Sequence, residues 1–101
     1  MRRATTPTHT FTLPTDVSVS QVTDLRITYG QSDEIILEKT LSDTGIDTEK
    51  NMFAVTLTED ETNLFAPGKA LIQLKAKVGD TTLESQIIWF PVKPALNSGR
   101  L

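Results

Sequence analysis

The sequence predicts an all-β fold, an Ig-like antiparallel β-sandwich of about seven short strands with one short helical turn over residues 59–65. Three observations lead there. Apolar residues recur mostly at every second position, the period of a strand with one buried face. Turn signals interrupt the chain at intervals of about 8 to 12 residues, as in sandwiches rather than βαβ units. A helical signal appears in only one short stretch.

Thr8 to Leu13 is the first expected strand, with Phe11 and Leu13 inward; Pro14 and the polar stretch Thr15 to Gln21 end it. From Val22 to Tyr29, Leu25, Ile27 and Tyr29 share one face, and Asp24, Arg26 and Thr28 share the other. Gly30 to Asp33 reads as a turn into Glu34 to Thr40. Ile35, Ile36 and Leu37 are consecutive there, so at least one points outward unless both faces are covered. Leu41 to Asn51 is a polar loop with room for a short edge strand, and Met52 to Thr58 alternates again with Phe53, Val55 and Leu57 inward. Thr58 and Glu61 then match a capping box, the acidic residues suit the positive end of a helix, and Pro67-Gly68 stops it. Lys69 to Val78 is the clearest strand, with Ala70, Ile72, Leu74, Ala76 and Val78 on one face. Gly79-Asp80 is a favoured hairpin loop that returns the chain through Thr81 to Lys93. The expected organisation is a mobile N-terminus over residues 1–7, one domain over residues 8–93, and a mobile tail over residues 94–101.

Composition narrows the function classes. At 101 residues the chain has the size of one domain. It has no cysteine, which removes disulfides, thiolate chemistry and cysteine-based zinc sites, and "Ig-like" therefore describes architecture alone. The net charge is −3 and the cations are scattered, which argues against a nucleic-acid partner. No apolar run approaches the roughly 18 residues needed to span a bilayer, and Arg2 and Arg3 lack the apolar stretch of an export signal. A soluble protein made in the cytosol, with no membrane partner, is expected.

Residues with chemical potential are few. His9 is the only histidine; with no nucleophile elbow and no acidic neighbour in sequence, it reads as a surface strand residue. Asp43, Asp47 and Glu49 surround Gly45, but their spacing misses the calcium-loop pattern and suits a solvated acidic loop. A helix N-terminus accounts for Glu59, Asp60 and Glu61. The glycines are isolated, so no phosphate-cradling loop is present. No catalytic residue, cofactor site or metal site is expected.

One segment departs from a half-buried strand. In Leu83 to Val92, Leu83, Ile87 and Trp89 share one face, while Ile88, Phe90 and Val92 share the other. Either a β-bulge or the break at Pro91 switches faces within the chain, or another subunit covers the second face. Ile36 and Leu71 also occupy outward positions. The candidate interface is accordingly Ile36, Leu71, Ile88, Phe90 and Val92.

Three stretches carry a family likeness: Thr6-Pro7-Thr8-His9-Thr10-Phe11-Thr12-Leu13-Pro14, Leu25-Arg26-Ile27-Thr28-Tyr29-Gly30-Gln31, and Ile36-Leu37-Glu38-Lys39. With Leu57-Thr58-Glu59-Asp60-Glu61-Thr62, they resemble a family of small phage and prophage proteins of Gram-positive bacteria. Its members share a "TPTHTFTLP" start, an "RITYxQ" strand, an "LEK" strand and an "LTxEET" turn. The likeness spans nearly the whole chain in order, and Gly30 departs from the alanine expected there. Members are mostly of unassigned function and are encoded among phage structural genes. The resemblance implies a virion or virion-assembly role, at the tail or baseplate, with other phage structural proteins or further copies as partners. It carries over no catalytic residue. A receptor- or carbohydrate-binding sandwich is the alternative, and few aromatics are available to serve it.

Overall fold

The computed structural model describes residues 1–85 and 87–94. Its chain is an antiparallel β-sandwich, as the alternation predicts. Among the described residues, eight strands run in the order β1 (Thr8–Thr12), β2 (Asp24–Gln31), β3 (Glu34–Thr40), β4 (Gly45–Asp47), β5 (Met52–Thr56), β6 (Gly68–Val78), β7 (Thr81–Glu84) and β8 (Ile88–Val92). One helical turn, α1 (Glu59–Thr62), lies between β5 and β6. It is shorter than expected but capped as expected: the Thr58 side chain accepts from Glu61 N at 3.1 Å, and Glu61 Oε1 accepts from Thr58 N at 2.9 Å.

A small sheet has the order β1-β5-β4, and a five-stranded sheet has the order β3-β2-β6-β7, with β8 also on β6. Their inner faces enclose Phe11, Leu25, Ile27, Tyr29, Phe53, Val55, Leu57, Phe65, Ile72 and Leu74, all of them buried. Burial of such a side chain contributes about 1.5–3 kcal/mol, so this layer holds the two sheets together. The β2–β3 connection is tighter than predicted. β2 runs on through Gln31, and Ser32 and Asp33 alone turn the chain, with φ of 54° and 64°. Positive φ at both central residues is the type I′ geometry that matches strand twist.

The return from β6 is not one strand. β7 pairs with Lys75–Val78, and β8 pairs with Gly68–Ile72. Two residues, Gln73 and Leu74, separate these pairings on β6, and three positions separate Glu84 from Ile88, so the returning chain carries one extra residue. Ser85 closes the gap: its N donates to Leu74 O, and its Oγ accepts from Leu74 N, both at 2.8 Å. A one-residue insertion reverses the facing of every residue beyond it. Leu83 therefore points inward beside Ala76, and Phe90 points inward beside Ala70.

Residues 1–7, which the sequence leaves outside the domain, are tied to its end. Arg2 bridges Lys93 in parallel, Arg3 N donates to Lys93 O at 3.0 Å, and Lys93 N donates to Met1 O at 2.7 Å. Extended backbone beside a strand end supplies the partners that β8 would otherwise lack. Of the expected C-terminal tail, residues 95–101 lie outside the described residues.

Candidate functional site

The outer face of the five-stranded sheet divides in two. Around Arg26, Glu38 and Lys75 it is polar, with Arg26 Nε 3.2 Å from Glu38 Oε2. Nearer the β2–β3 turn it is apolar. Register places Ile35, Gly30, Leu71 and Trp89 side by side across β3, β2, β6 and β8. Ile35 is 66 % exposed and Trp89 is 60 % exposed. Leu71 packs over Gly30, where an added Cβ would lie 3.1 Å from Leu71 Cδ1 and 3.2 Å from Glu34 O. Absence of a side chain at Gly30 lets Leu71 lie flat between the two exposed residues. Large solvent-facing apolar side chains in a row are what protein contact surfaces present.

The residues of the expected interface, Ile36, Leu71, Ile88, Phe90 and Val92, do not come together on this face. Val92 is buried, and Phe90 packs against the core. The extra residue at 85–87 turns both inward and turns Trp89 outward in their place. A second irregularity, between Tyr29 and Gly30, makes Ile36 the unpaired residue of β3, so Ile36 leans on the core and Ile35 faces solvent. Leu71 keeps its outward place. Ile88 stands opposite inward-facing Ile72, yet it is half exposed because β8 is an edge. Neither Trp89 nor Ile35 was selected from the sequence. Their only signal was the excess of apolar residues in their strands, which does not say where a bulge falls.

Beside Ile88 the sandwich opens. A cleft of about 380 Å³ lies between the free side of β1 and the β7–β8 break, with Phe11, Leu13, Leu74, Leu83 and Ile88 as its apolar lining. Thr10, Thr12, Glu84 and Ser85 add polar groups to its wall.

Behind Phe90, His9 is half-buried rather than on the surface. Its Nδ1 lies 2.6 Å from the Tyr29 hydroxyl, and its ring centroid lies 5.5 Å from that of Tyr29 and 5.6 Å from that of Phe90. Phe65 completes the cluster, edge-on to Tyr29. Burial, with a smaller effect from the N-terminal ammonium, holds the His9 pKa below its ordinary value. Burial and the nearby Glu61 carboxylate push the Tyr29 hydroxyl up, so the phenol keeps its proton. Burial raises Glu61 itself, but its bonds with Lys39 and Thr58 outweigh this and hold it below the usual carboxylate range. Lys39 and Glu61 form an ion pair that ties β3 to the α1 turn. These contacts cross between the sheets, which is how they stabilise the fold.

Two acidic groups of the segment before β5 are locally engaged. Asp43 accepts from the backbone N and the hydroxyl of Thr40, and Asp47 accepts from Lys50 N. Among the described residues, no helix is long and apolar enough to cross a membrane. Compared with known proteins, the chain matches no family model, no curated protein and no solved structure. The class that the architecture itself defines is the antiparallel β-sandwich.

Proposed function

We propose that this chain is a non-catalytic structural or assembly protein of a phage or prophage particle, associated with the tail or baseplate, that acts through protein–protein contacts. The observation that carries the contact role is the solvent-facing row of Ile35, Leu71 and Trp89, with half-exposed Ile87 near its end. Support for the phage setting comes from the strand and turn motifs of the sequence. In this reading the protein is made in the bacterial cytoplasm and incorporated into the particle, where other structural proteins cover Trp89. The experiment is mass spectrometry of purified particles from a host that carries the gene, comparing the native chain with Trp89→Lys. The native chain is expected in the particles, and the variant is expected at one-tenth of that level or less. Absence of the native chain from particles and from assembly intermediates would overturn the proposal.

The exposed indole of Trp89 also favours a second reading, a receptor- or carbohydrate-binding module, since sugars stack on exposed aromatic faces. Binding to cell-wall polysaccharide that Trp89→Ala abolishes would establish that reading instead.

A further inference from the structure

We infer that β1 is a self-pairing edge, through which two copies of this chain join by antiparallel addition of β1 to β1. Backbone parity carries the first step. Leu57 N donates to Pro7 O at 3.0 Å, and Leu13 N donates to Asn51 O at 2.9 Å. Hydrogen-bonded pairs alternate along an antiparallel ladder, so the odd residues of β1 bond to β5. Thr8, Thr10 and Thr12 then direct their N–H and C=O groups to the opposite side, where no described strand pairs with them.

Open edges invite pairing, and proteins usually blunt them with charge, proline, bulges or brevity. Every other edge among the described strands carries such a device. β3 has Glu34, Glu38 and Lys39 and a register shift; β4 is 3 residues long. β7 is 4 residues long and ends on Glu84; β8 contains Pro91, and residues 1–3 lie along its end. β1, Thr-His-Thr-Phe-Thr, has none of them.

The order of residues within β1 selects a second copy as the occupant. A two-fold axis at Thr10 sets Thr10 opposite Thr10, Thr8 opposite Thr12, and His9 opposite Phe11 of the other copy. Only this register pairs the whole strand while joining even residues to even residues, as the free backbone groups require. It extends the threonine row already begun by the Thr8–Thr56 hydroxyl pair at 2.7 Å, and cross-strand threonine pairs are favourable. The two three-stranded sheets become one continuous sheet.

The edge and the Trp89 face are separate surfaces, so this pairing does not depend on the particle role. The test is light scattering of the native chain over a wide concentration range, with Thr10→Pro, Thr10→Lys and Trp89→Lys beside it. The native chain and Trp89→Lys are expected to reach twice the 11.2 kDa of one chain, while both Thr10 variants stay at one chain mass. A native monomer throughout, or a dimer that survives in folded Thr10 variants, overturns the inference. Amide exchange on the native chain decides independently of variant folding. The amides of Thr8, Thr10 and Thr12 should exchange at least tenfold more slowly at dimer-forming than at dilute concentration, and unchanged rates overturn the pairing. Loss of Trp89→Lys from particles with an intact dimer would bear on the particle role alone.

Discussion

The side-chain amide of Gln31 exchanges two hydrogen bonds with the backbone of Ala66: its Nε2 donates to Ala66 O at 2.6 Å, and its Oε1 accepts from Ala66 N at 2.8 Å. It thereby behaves as one more strand residue at the end of β2. The segment that leads from α1 into β6 is held there, even though Pro67 can donate no hydrogen bond of its own. Gln31 is buried, so loss of its amide leaves two backbone groups without partners. Gln31→Ala is expected to cost about 2–4 kcal/mol, read from chemical denaturation. Gln31→Glu keeps the acceptor but sets a carboxylate against Ala66 O; its deficit should shrink as pH falls through the carboxylate range.

Asn51 plays a comparable part at the other end of β5. With φ of 55° it occupies the left-handed region, which asparagine tolerates better than most residues. From that position its Nδ2 donates to Val17 O at 2.7 Å and to Pro14 O at 3.2 Å, and its Oδ1 accepts from Val19 N at 2.9 Å. These bonds seat the loop from β1 to β2 and place Val19 in the core. Asn51→Ala should lose about 2–3 kcal/mol, because bonds to partly buried groups and a tolerated backbone conformation go together. A loss below about 0.5 kcal/mol would show that the loop holds itself, since that is the range of surface substitutions away from such features.

His9 gives stability a dependence on pH. Its pKa in the fold lies below the ordinary 6.5 of the unfolded chain, so the folded state takes up its proton later as acidity rises. The stabilising contribution is present above the unfolded value and is lost as pH falls from there through the folded value. Urea unfolding between about pH 7 and pH 5 should show that decline, and His9→Gln should flatten it. Equal slopes in the two proteins would mean that another group titrates there.

The β2–β3 turn offers a gain. Ser32 and Asp33 both hold positive φ, which L side chains adopt at a cost. Ser32→Asn combined with Asp33→Gly matches the preferred type I′ pair and should add about 1 kcal/mol. For a domain of this size that raises Tm by about 4–8 °C, measured by thermal unfolding. A lower Tm would show that the native side chains support the turn in another way.

Much of this fold was legible in local pattern, and the rest depended on contacts between distant residues. Alternation located β2, β5 and β6, and the Thr58–Glu61 box located α1, because each signal lies within a few residues of chain. The Gly79-Asp80 turn was legible for the same reason, with Gly79 at φ 59°. Gln31 and Asn51 bond across 32 to 38 residues of sequence, so nothing near them in the chain announces their partners. The candidate surface turned on one extra residue between Glu84 and Ile88. Apolar excess in that segment showed that the pattern breaks, but not that Phe90 goes inward and Trp89 outward. Phe90→Asp would therefore unfold the protein rather than separate it from a partner.

The bridge between Arg2 and Lys93 sets a condition on synthesis. The segment before β1 waits for the end of β8, and the ring of Phe90 that closes over His9 and Tyr29 is made long after both of them. A chain halted anywhere before β8 leaves one side of β6 bare over Gly68–Ile72 and its core uncovered. Intermediates of that kind aggregate or are degraded. The sandwich is consequently closed only when β8 is in place, and forms cut short before it lack the strand that would let them persist as folded competitors.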